Sequence, residues 1–244
     1  NLLSNIDLIT DDELKLAHSS QKHFLLAYAN SQTQKGLSEE VLTIGFARRA
    51  AEYKRARLIF SDIDRLAEIG KNKLQIIFAG KAHPKDQHGK DIIEEIIHNA
   101  NKLSGKVKVV FLENYNIWLG RLITSGVDVW LNTPLRPNEA SGTSGMKAAL
   151  NGIPNFSILD GWWAEGCQHD KNGWAIGKPD HCDDKIDADS LYQILENDII
   201  PTFYNDKKKW LSIMRGSIQS AVDFTSHRMI DEYNNKFYNS VKVV

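Results

Sequence analysis

The sequence predicts an α/β fold in which a parallel β-sheet is covered by helices on both faces. Short apolar runs rich in Val, Ile and Phe alternate along the chain with amphipathic stretches. The apolar runs are mostly continuous, as in strands that are buried on both sides, rather than alternating with polar residues. This order of strand and helix candidates favours parallel strands joined by crossover helices.

Five apolar runs are predicted as strands. They are Val41–Ala47, Leu74–Gly80, Val107–Glu113, Val127–Thr133 and Asn155–Leu159. Between them, Asp91–Leu103 is the clearest helix candidate, because its apolar residues recur at three- and four-residue spacing. Asn116–Thr124 and Ser141–Leu150 are also predicted as helices. The segments before Val41 and after Ser190 are expected to form helices packed around the sheet.

The composition is that of an ordinary soluble globular protein. The 244 residues carry a formal net charge of −1, so no overall charge attracts nucleic acid or an anionic membrane. No apolar run is long enough to span a bilayer. Two cysteines, Cys167 and Cys182, do not make a disulfide framework, which favours a reducing, cytoplasmic location. Because the chain starts at Asn1 without Met, we expect it to be a piece of a longer protein.

Functional residues are expected where the predicted strands end, because ligands of parallel sheets bind beyond the carboxyl ends of the strands. A cationic cluster follows the first strand, an aromatic residue the third, and a loop of glycines and hydroxyls the fourth. These residues are Arg48, Arg49, Lys54 and Arg55, then Tyr115, and then Glu139, Ser141, Gly142, Thr143, Ser144 and Gly145.

The glycine-hydroxyl loop runs into a predicted helix, and this pattern indicates an anion site. Backbone N–H groups at a helix N-terminus favour negative charge, and glycine lets a phosphate approach the backbone closely. Lys147 follows Thr143 by four residues, so both can lie on one helix face. The loop is not a P-loop, since GxxxxGK[ST] is absent. The sequence therefore predicts an α/β domain that binds a phosphorylated ligand.

Simpler interpretations of the same residues stay open at this point. The loop could be an ordinary capped helix start, and the cations could form a solvated face. Tyr115 could be a core or surface residue. Arg49 and Lys54 are five apart, so they converge only if Arg49 lies in the loop before the helix.

Two further groups of residues are candidate sites. The spacing of Cys167, His169, His181 and Cys182 does not fit common structural zinc patterns, so no metal is expected. The pair Trp162-Trp163 could be a sugar-stacking platform, but core or interdomain packing explains it equally well.

The segment from Glu139 to Asn151 (EASGTSGMKAALN) resembles the pyridoxal-phosphate attachment signature of the α-glucan phosphorylases. These are the glycogen, starch and maltodextrin phosphorylases. Residues 48–55 resemble the basic phosphate-site segment of that family, and Phe111–Tyr115 its next cofactor-side segment. Residues 43–49, 79–84 and 159–163 are similar to the shorter bacterial and archaeal branch. The resemblance runs from about His18 to about Tyr233.

The resemblance implies a Rossmann-like domain that is the carboxyl-terminal half of a GT-B glycosyltransferase fold. The amino-terminal domain of the family, which completes the cleft, has no counterpart here. The implied activity is reversible phosphorolysis of α-1,4-glucans, in which inorganic phosphate yields glucose 1-phosphate with retention. The resemblance further implies that the 5′-phosphate of the cofactor would serve as proton donor and relay.

The resemblance also implies a role for each matching residue. Lys147 is the attachment lysine, which forms a Schiff base with pyridoxal phosphate. Arg48, Tyr115 and the backbone N–H groups of Gly142, Thr143 and Ser144 surround the cofactor. Arg49 and Lys54 hold the substrate phosphate, and Glu139 and Ser141 bond hydroxyls of the reacting glucose.

Two alternative functions remain beside this one. A nucleotide-sugar glucosyltransferase resembling glycogen synthase shares the GT-B fold, although bound pyridoxal phosphate would exclude its ordinary form. A non-catalytic domain that binds cofactor or glucan is the other. In either case we expect a cytoplasmic protein without nucleic-acid or membrane partners, and a homo-oligomer is possible in the full-length form. The isolated chain is expected to be nearly inactive, because half of the cleft is missing.

Overall fold

The computed structural model describes residues 2–179 and 182–238 and contains one sheet of six parallel strands. The strands are β1 (Leu42–Ala47), β2 (Leu74–Ala79), β3 (Lys108–Leu112), β4 (Val129–Asn132), β5 (Asn155–Ile158) and β6 (Gly173–Ile176). Their order is β3-β2-β1-β4-β5-β6, with every neighbouring pair parallel. The predicted α/β architecture, a Rossmann-like parallel sheet, is confirmed.

Ten α-helices surround the sheet in the described part of the chain. They are α1 (Asp11–Thr33), α2 (Ile63–Gly70), α3 (Gln87–Lys102), α4 (Ile117–Gly126), α5 (Thr143–Leu150), α6 (Trp162–Gly166), α7 (Asp184–Ile194), α8 (Ile200–Asn205), α9 (Lys207–Val222) and α10 (Ser226–Tyr233). Shorter helical segments are the 3-10 turns at Leu2–Leu8, Glu52–Lys54 and Leu58–Phe60 and the π-helical turns at Leu195–Ile199 and Asn234–Tyr238. None of these helices combines the length and apolar character that crossing a bilayer requires.

Both faces of the sheet are buried, which explains why the strands are continuously apolar. Along β2, Ile76 and Phe78 belong to a cluster that includes residues of α2, α3 and α7. The alternate residues Ile77 and Ala79 belong to a cluster with residues of α1, α4 and α5. Because side chains of a strand alternate between faces, each face therefore needs its own apolar set.

The strand order reverses between β1 and β4, which pair through Ile44 with Val129 and Gly45 with Trp130. The chain proceeds outward from β1 to β3, then α4 carries it back to β4 on the other side of β1. The loops after β1 and β4 therefore leave the sheet in opposite directions and open a crevice at its carboxyl edge. Parallel sheets bind ligands at such a switch point.

The sequence predictions differ from the structure mainly at helix boundaries and at the last strand. Helix α3 starts at Gln87, four residues before the predicted start, because Asp86 caps it by accepting the N–H of Gly89 at 2.9 Å. Helix α5 begins at Thr143 rather than Ser141. Strand β6 (GWAI) was not predicted.

A buried ion pair fastens α1 to the amino-terminal edge of the sheet. Lys22 Nζ donates to Asp128 Oδ2 at 2.6 Å, and each residue is only 3% exposed. The same carboxylate accepts the N–H of Thr43 at 2.7 Å and contacts the His18 ring at 2.9 Å. Burial alone would raise the pKa of Asp128, but Lys22 and His18 outweigh it and hold that pKa below its ordinary value. Asp128 thus stays charged in the folded state.

We expect Lys22→Met to destabilise the protein by about 3–5 kcal/mol, because it leaves the carboxylate of Asp128 buried without its cation. Lys15→Met is the matched control on the same helix, since Lys15 pairs with Asp12 at 3.3 Å in an exposed position. That change should alter stability by no more than about 1 kcal/mol. Urea denaturation at neutral pH measures both, and equal effects would contradict the structural role of the Lys22 pair.

Candidate functional site

The residues predicted to bind ligand lie at the carboxyl edge of the sheet, on loops, on the 3-10 turn Glu52–Lys54 and on helix α5. Arg48 and Arg49 directly follow β1, Tyr115 follows β3, and Glu139 lies in the loop between β4 and α5. Arg48 and Glu139 meet in the crevice between β1 and β4.

Glu139 forms a buried ion triad with two of the predicted cations. Its Oε2 atom accepts from Arg48 Nη2 at 2.5 Å and from Lys54 Nζ at 2.6 Å. The three residues are 7–9% exposed. Burial would raise the pKa of Glu139, but the bonds to Lys54 and Arg48 outweigh it and lower that pKa. This ion triad therefore links the loop after β1 to the loop after β4.

Arg49 lies in the loop before the 3-10 turn Glu52–Lys54, so the condition for its convergence with Lys54 is met. Unlike Arg48 and Lys54, Arg49 is exposed. The Lys54 ammonium stands 4.4 Å from the ring centroid of Tyr53. Lys54 and, more weakly, Arg49 lower the pKa of the Tyr53 hydroxyl against the effect of its partial burial. Tyr53 therefore lies between the two cations, a position that sequence analysis did not single out.

Arg55 has a structural position instead of facing the crevice. Its guanidinium donates to the carbonyls of Thr133 and Pro134 at 3.0 and 2.9 Å and to Asp184 and Asp187 at 2.7 and 2.8 Å. It thereby holds the start of the loop after β4 against α7. The alternative that the four cations form a solvated face is wrong, because only Arg49 is exposed and the other three are buried.

The far end of the same loop is held by the turn that follows β5. Asp160 Oδ2 accepts the N–H of Glu139 at 2.9 Å, and the carbonyl of Ser141 accepts the N–H of Trp162 at 2.8 Å. Gly161 lies between these contacts with φ 56° and ψ −140°. A Cβ atom there would stand 2.6 Å from the Ser141 oxygen, so only glycine allows this approach.

The glycines of the loop allow close packing on a buried tryptophan. A Cβ atom on Gly142 would lie 3.2 Å from the Trp162 ring, and one on Gly145 would lie 2.9 Å from its Nε1. Trp162 and Trp163 are 3% and 1% exposed. This confirms the packing interpretation of the tryptophan pair and leaves them no face for stacking on a sugar.

Helix α5 starts without the side-chain cap that most helices of this chain have. Seven helices begin at a Thr, Asp or Asn whose side chain accepts a backbone N–H, at Thr10, Asp62, Asp86, Asn116, Asp183, Asp206 and Thr225. The cap of α5 is Gly142, in the left-handed region at φ 84°. Since glycine has no side-chain acceptor, the first N–H groups of α5 remain available to an external anion.

Lys147 and Thr143 are both exposed, one turn apart on α5, as predicted. The Lys147 ammonium makes no ion pair or hydrogen bond with the residues that the structure describes. Ser141 is also exposed. Tyr115 is half-buried, and its hydroxyl lies 3.0 Å from where a Cβ atom on Gly120 would stand. Burial raises the pKa of Tyr115, and the guanidinium of Arg48 acts against this rise.

Several buried polar atoms at this edge have no partner within residues 2–179 and 182–238. They are Arg48 Nη1, Asn132 Oδ1 and Ser144 Oγ; five other such atoms of the described residues belong to His18, Trp130, Asn155, Asp170 and Trp174. Native proteins rarely leave such atoms unsatisfied. A guanidinium nitrogen, a hydroxyl and uncapped helix amides are the donors that a phosphate group accepts from. Together with a reachable lysine, they fit a phosphate-bearing aldehyde cofactor such as pyridoxal phosphate.

The two cysteines are not among the residues of the candidate phosphate site. Cys167 is partly buried among Trp162, Trp163 and Phe224. Burial raises the pKa of its thiol to about 12, so the thiolate that a metal needs is disfavoured. Cys182 is exposed, and His181 lies outside the described residues.

Of the residues at this site, sequence analysis missed Asp160 and Gly161 as loop supports. A signal was present, since Asp160 directly follows the fifth predicted strand and therefore had to lie at the same edge. What the sequence did not indicate is which backbone group Asp160 contacts.

We expect Gly161→Ala to be more destabilising than Gly105→Ala, although both glycines have positive φ. Nothing lies within 4 Å of a Cβ atom on Gly105, so backbone strain of about 1 kcal/mol is the expected cost there. At Gly161 the clash with the Ser141 and Glu139 carbonyls should add about 1–3 kcal/mol. Urea denaturation of the two variants measures the difference, and equal costs would show that the turn is not packed against the loop.

The sequence of this chain is similar to those of several known proteins. The family model of the carbohydrate phosphorylases matches residues 5–169. The maltodextrin phosphorylase of Thermococcus litoralis is 44% identical over 255 residues, covering 96% of this chain. The glycogen phosphorylase of Aquifex aeolicus is 48% identical over 216 residues, covering 84% of this chain, and that of Mycobacterium tuberculosis (H37Rv) is 40% identical over 212, covering 81%. The chain spans 31%, 31% and 24% of these relatives. It belongs to the carbohydrate phosphorylase family.

Proposed function

We propose that this chain is the cofactor-bearing part of a pyridoxal-phosphate-dependent α-glucan phosphorylase. The observation that carries the proposal is the juxtaposition of the Arg48–Glu139–Lys54 triad with the uncapped start of α5 that presents Lys147. In the described part of the chain, buried cations, a helix start without a side-chain cap and a lysine without an ion pair lie at the same edge of the sheet, which supports the proposal.

In this proposal the cofactor is held by groups of this chain alone. Lys147 attaches it, the N–H groups of Gly142, Thr143 and Ser144 and the guanidinium of Arg48 bind its phosphate, and Tyr115 lines the pocket. When bound, pyridoxal phosphate supplies a phosphate group whose second pKa of about 6 allows proton exchange near neutral pH. The unpartnered atoms Arg48 Nη1 and Ser144 Oγ support this assignment.

Arg49 and Lys54 are assigned to the substrate phosphate. Arg49 is exposed and can move to an incoming anion, whereas Lys54 already binds Glu139. Phosphate must therefore compete with the Glu139 carboxylate for Lys54. Two phosphate groups close together repel each other, and the surrounding cations offset that repulsion. A glucosyl cation that develops beside the bound phosphate is stabilised by its negative charge.

Glu139 and Ser141 are assigned to hydroxyls of the reacting glucose. The hydrogen bonds of the Glu139 carboxylate to the protein go to Oε2, and among the described residues none is made by Oε1. Oε1 can therefore accept a sugar hydroxyl without breaking the triad. The Ser141 side chain is exposed beside it, two residues further along the same loop.

The remainder of the cleft is proposed to come from polypeptide beyond this chain, in a two-domain GT-B arrangement. The chain spans about a third of its phosphorylase relatives, which supports the assignment. In the proposal, α-1,4-glucan, inorganic phosphate and glucose 1-phosphate are the ligands of the complete cytoplasmic enzyme, which could be a homo-oligomer. The 244-residue chain by itself should form almost no glucose 1-phosphate.

We expect pyridoxal phosphate followed by borohydride to label Lys147 selectively in the purified chain. Peptide mass spectrometry identifies the labelled lysine. Lys147→Arg is the matched control, because it keeps the positive charge but cannot form the covalent bond, and it should abolish the label. Uniform labelling of surface lysines would contradict the cofactor assignment and favour a nucleotide-sugar glucosyltransferase or a non-catalytic domain.

Glu139→Gln is expected to strengthen the binding of inorganic phosphate by the chain about tenfold or more. The variant leaves Arg48 and Lys54 without their carboxylate, and a hydrogen bond between charged groups is worth about 1.5–3 kcal/mol. Isothermal titration with phosphate at neutral pH measures the change.

Glu95→Gln is the control for that titration, because Glu95 is exposed on α3 and pairs with Arg57 away from the crevice. Its phosphate affinity should equal that of the unmodified chain. A Glu139→Gln variant with unchanged phosphate affinity would mean that the triad is not the anion site.

A further inference from the structure

The Asp160 carboxylate is buried and yet contacts no Lys or Arg among the described residues. It is 8% exposed at the carboxyl end of β5. Both of its oxygens accept backbone N–H groups: Oδ2 from Glu139 at 2.9 Å and Oδ1 from Gly161 at 3.0 Å. Burying a carboxylate without a paired cation is costly, so stability alone gives no reason for a charged residue here.

The contacts of this turn fall on the two residues proposed to bind the sugar. Asp160 holds the N–H of Glu139, and the N–H of Trp162 donates to the carbonyl of Ser141 at 2.8 Å. Asp160 and Trp162 of the turn therefore hold Glu139 and Ser141 of the loop, respectively. Gly161 between them lets the two backbones approach, as its missing Cβ atom would clash with the Ser141 oxygen.

The position of the Glu139 backbone decides what its side chain can reach. The carboxylate contacts both Arg48 and Lys54 through one oxygen, at 2.5 and 2.6 Å. A displacement of about 1 Å would break at least one of these bonds, because hydrogen bonds between charged groups are limited to about 2.7–2.9 Å. Within the described residues, Asp160 provides the side-chain acceptor that fixes the Glu139 amide.

We propose that Asp160 is a positioning residue. It holds the backbone amide of Glu139 so that the Glu139 carboxylate can accept hydrogen bonds from both Arg48 and Lys54. It acts through Glu139 and touches neither cation. The geometric part of this inference concerns the triad alone. Its consequence for phosphate binding rests on the proposed function.

Comparing Asp160→Ala with Asp160→Asn distinguishes the effect of the hydrogen bond to Glu139 from the effect of the negative charge of Asp160. Both variants remove the negative charge, and loss of a nearby negative charge lowers the pKa of a neighbouring carboxyl. Only Asp160→Ala also removes the acceptor for the Glu139 amide. We therefore expect the pKa of Glu139 to rise toward its ordinary value in Asp160→Ala and to stay low or fall in Asp160→Asn. Carbon-13 NMR titration of the Glu139 carboxyl measures it.

A pKa of Glu139 that is equal in the two variants would overturn the proposal, because charge would then explain the whole effect. If Asp160→Ala does not fold, hydrogen exchange of the Glu139 amide in the unmodified chain decides instead. Protection of that amide is expected in the unmodified chain and in Asp160→Asn, because the side-chain oxygen of asparagine still accepts the Glu139 N–H. Rapid exchange in the unmodified chain would also overturn the proposal.

Phosphate titration of a double-mutant cycle tests the functional consequence. With Glu139 present, Asp160→Ala should bind phosphate several-fold more tightly than Asp160→Asn, because only the former releases Lys54 from Glu139. In the Glu139→Gln background the two variants should bind phosphate equally. If no variant binds phosphate, the proposed function fails at this site, while the Glu139 titration still decides whether Asp160 is a positioning residue.

Discussion

The carboxylate of Glu139, shared by Arg48 and Lys54, is the interaction on which the rest of this edge depends. The cations follow β1 and the carboxylate follows β4, 91 and 85 residues apart in sequence. They meet because α4 returns the chain from the outer strand β3 to the other side of β1. Three buried charges in contact are tolerated only in good geometry, so the loop that carries Glu139 has to be fixed from both ends.

Each end of that loop is fixed by different chemistry. At its start, Arg55 donates to the Thr133 and Pro134 carbonyls and is itself held by Asp184 and Asp187. At its end, the turn after β5 supplies Asp160 and the Trp162 amide. The cationic segment Arg48–Arg55 thus contributes twice, since Arg48 and Lys54 hold Glu139 while Arg55 holds the approach to it. Lys54 and Arg55 are adjacent in sequence, but they contact different parts of the structure.

Five strands were predictable because burial on both faces makes them mostly apolar, whereas β6 (GWAI) was not predicted. The membership of Arg48, Lys54 and Glu139 in one site followed from the rule that parallel strands end at one edge. Their direct contact did not follow, since pairing between residues more than 80 positions apart depends on loop geometry. The burial of Trp162 depends equally on Gly142 and Gly145, whose missing side chains make room for it. The sequence shows that these two residues are glycines, but it does not show that Trp162 packs against them.

Several local rules of stable structure are broken at this edge of the described chain. Seven helices have side-chain caps, but α5 begins at a glycine in the left-handed region. Among the described residues, Arg48 Nη1 and Ser144 Oγ are buried without partners, and Asp160 is a buried carboxylate without a cation. Each of these features costs folding free energy, and all lie after β1, β4 or β5 at the carboxyl edge of the sheet. Departures from local consistency that cluster in this way are expected where a sequence is constrained by binding as well as by folding. These departures at one edge support the proposed anion site, and they do so independently of the family to which the chain belongs.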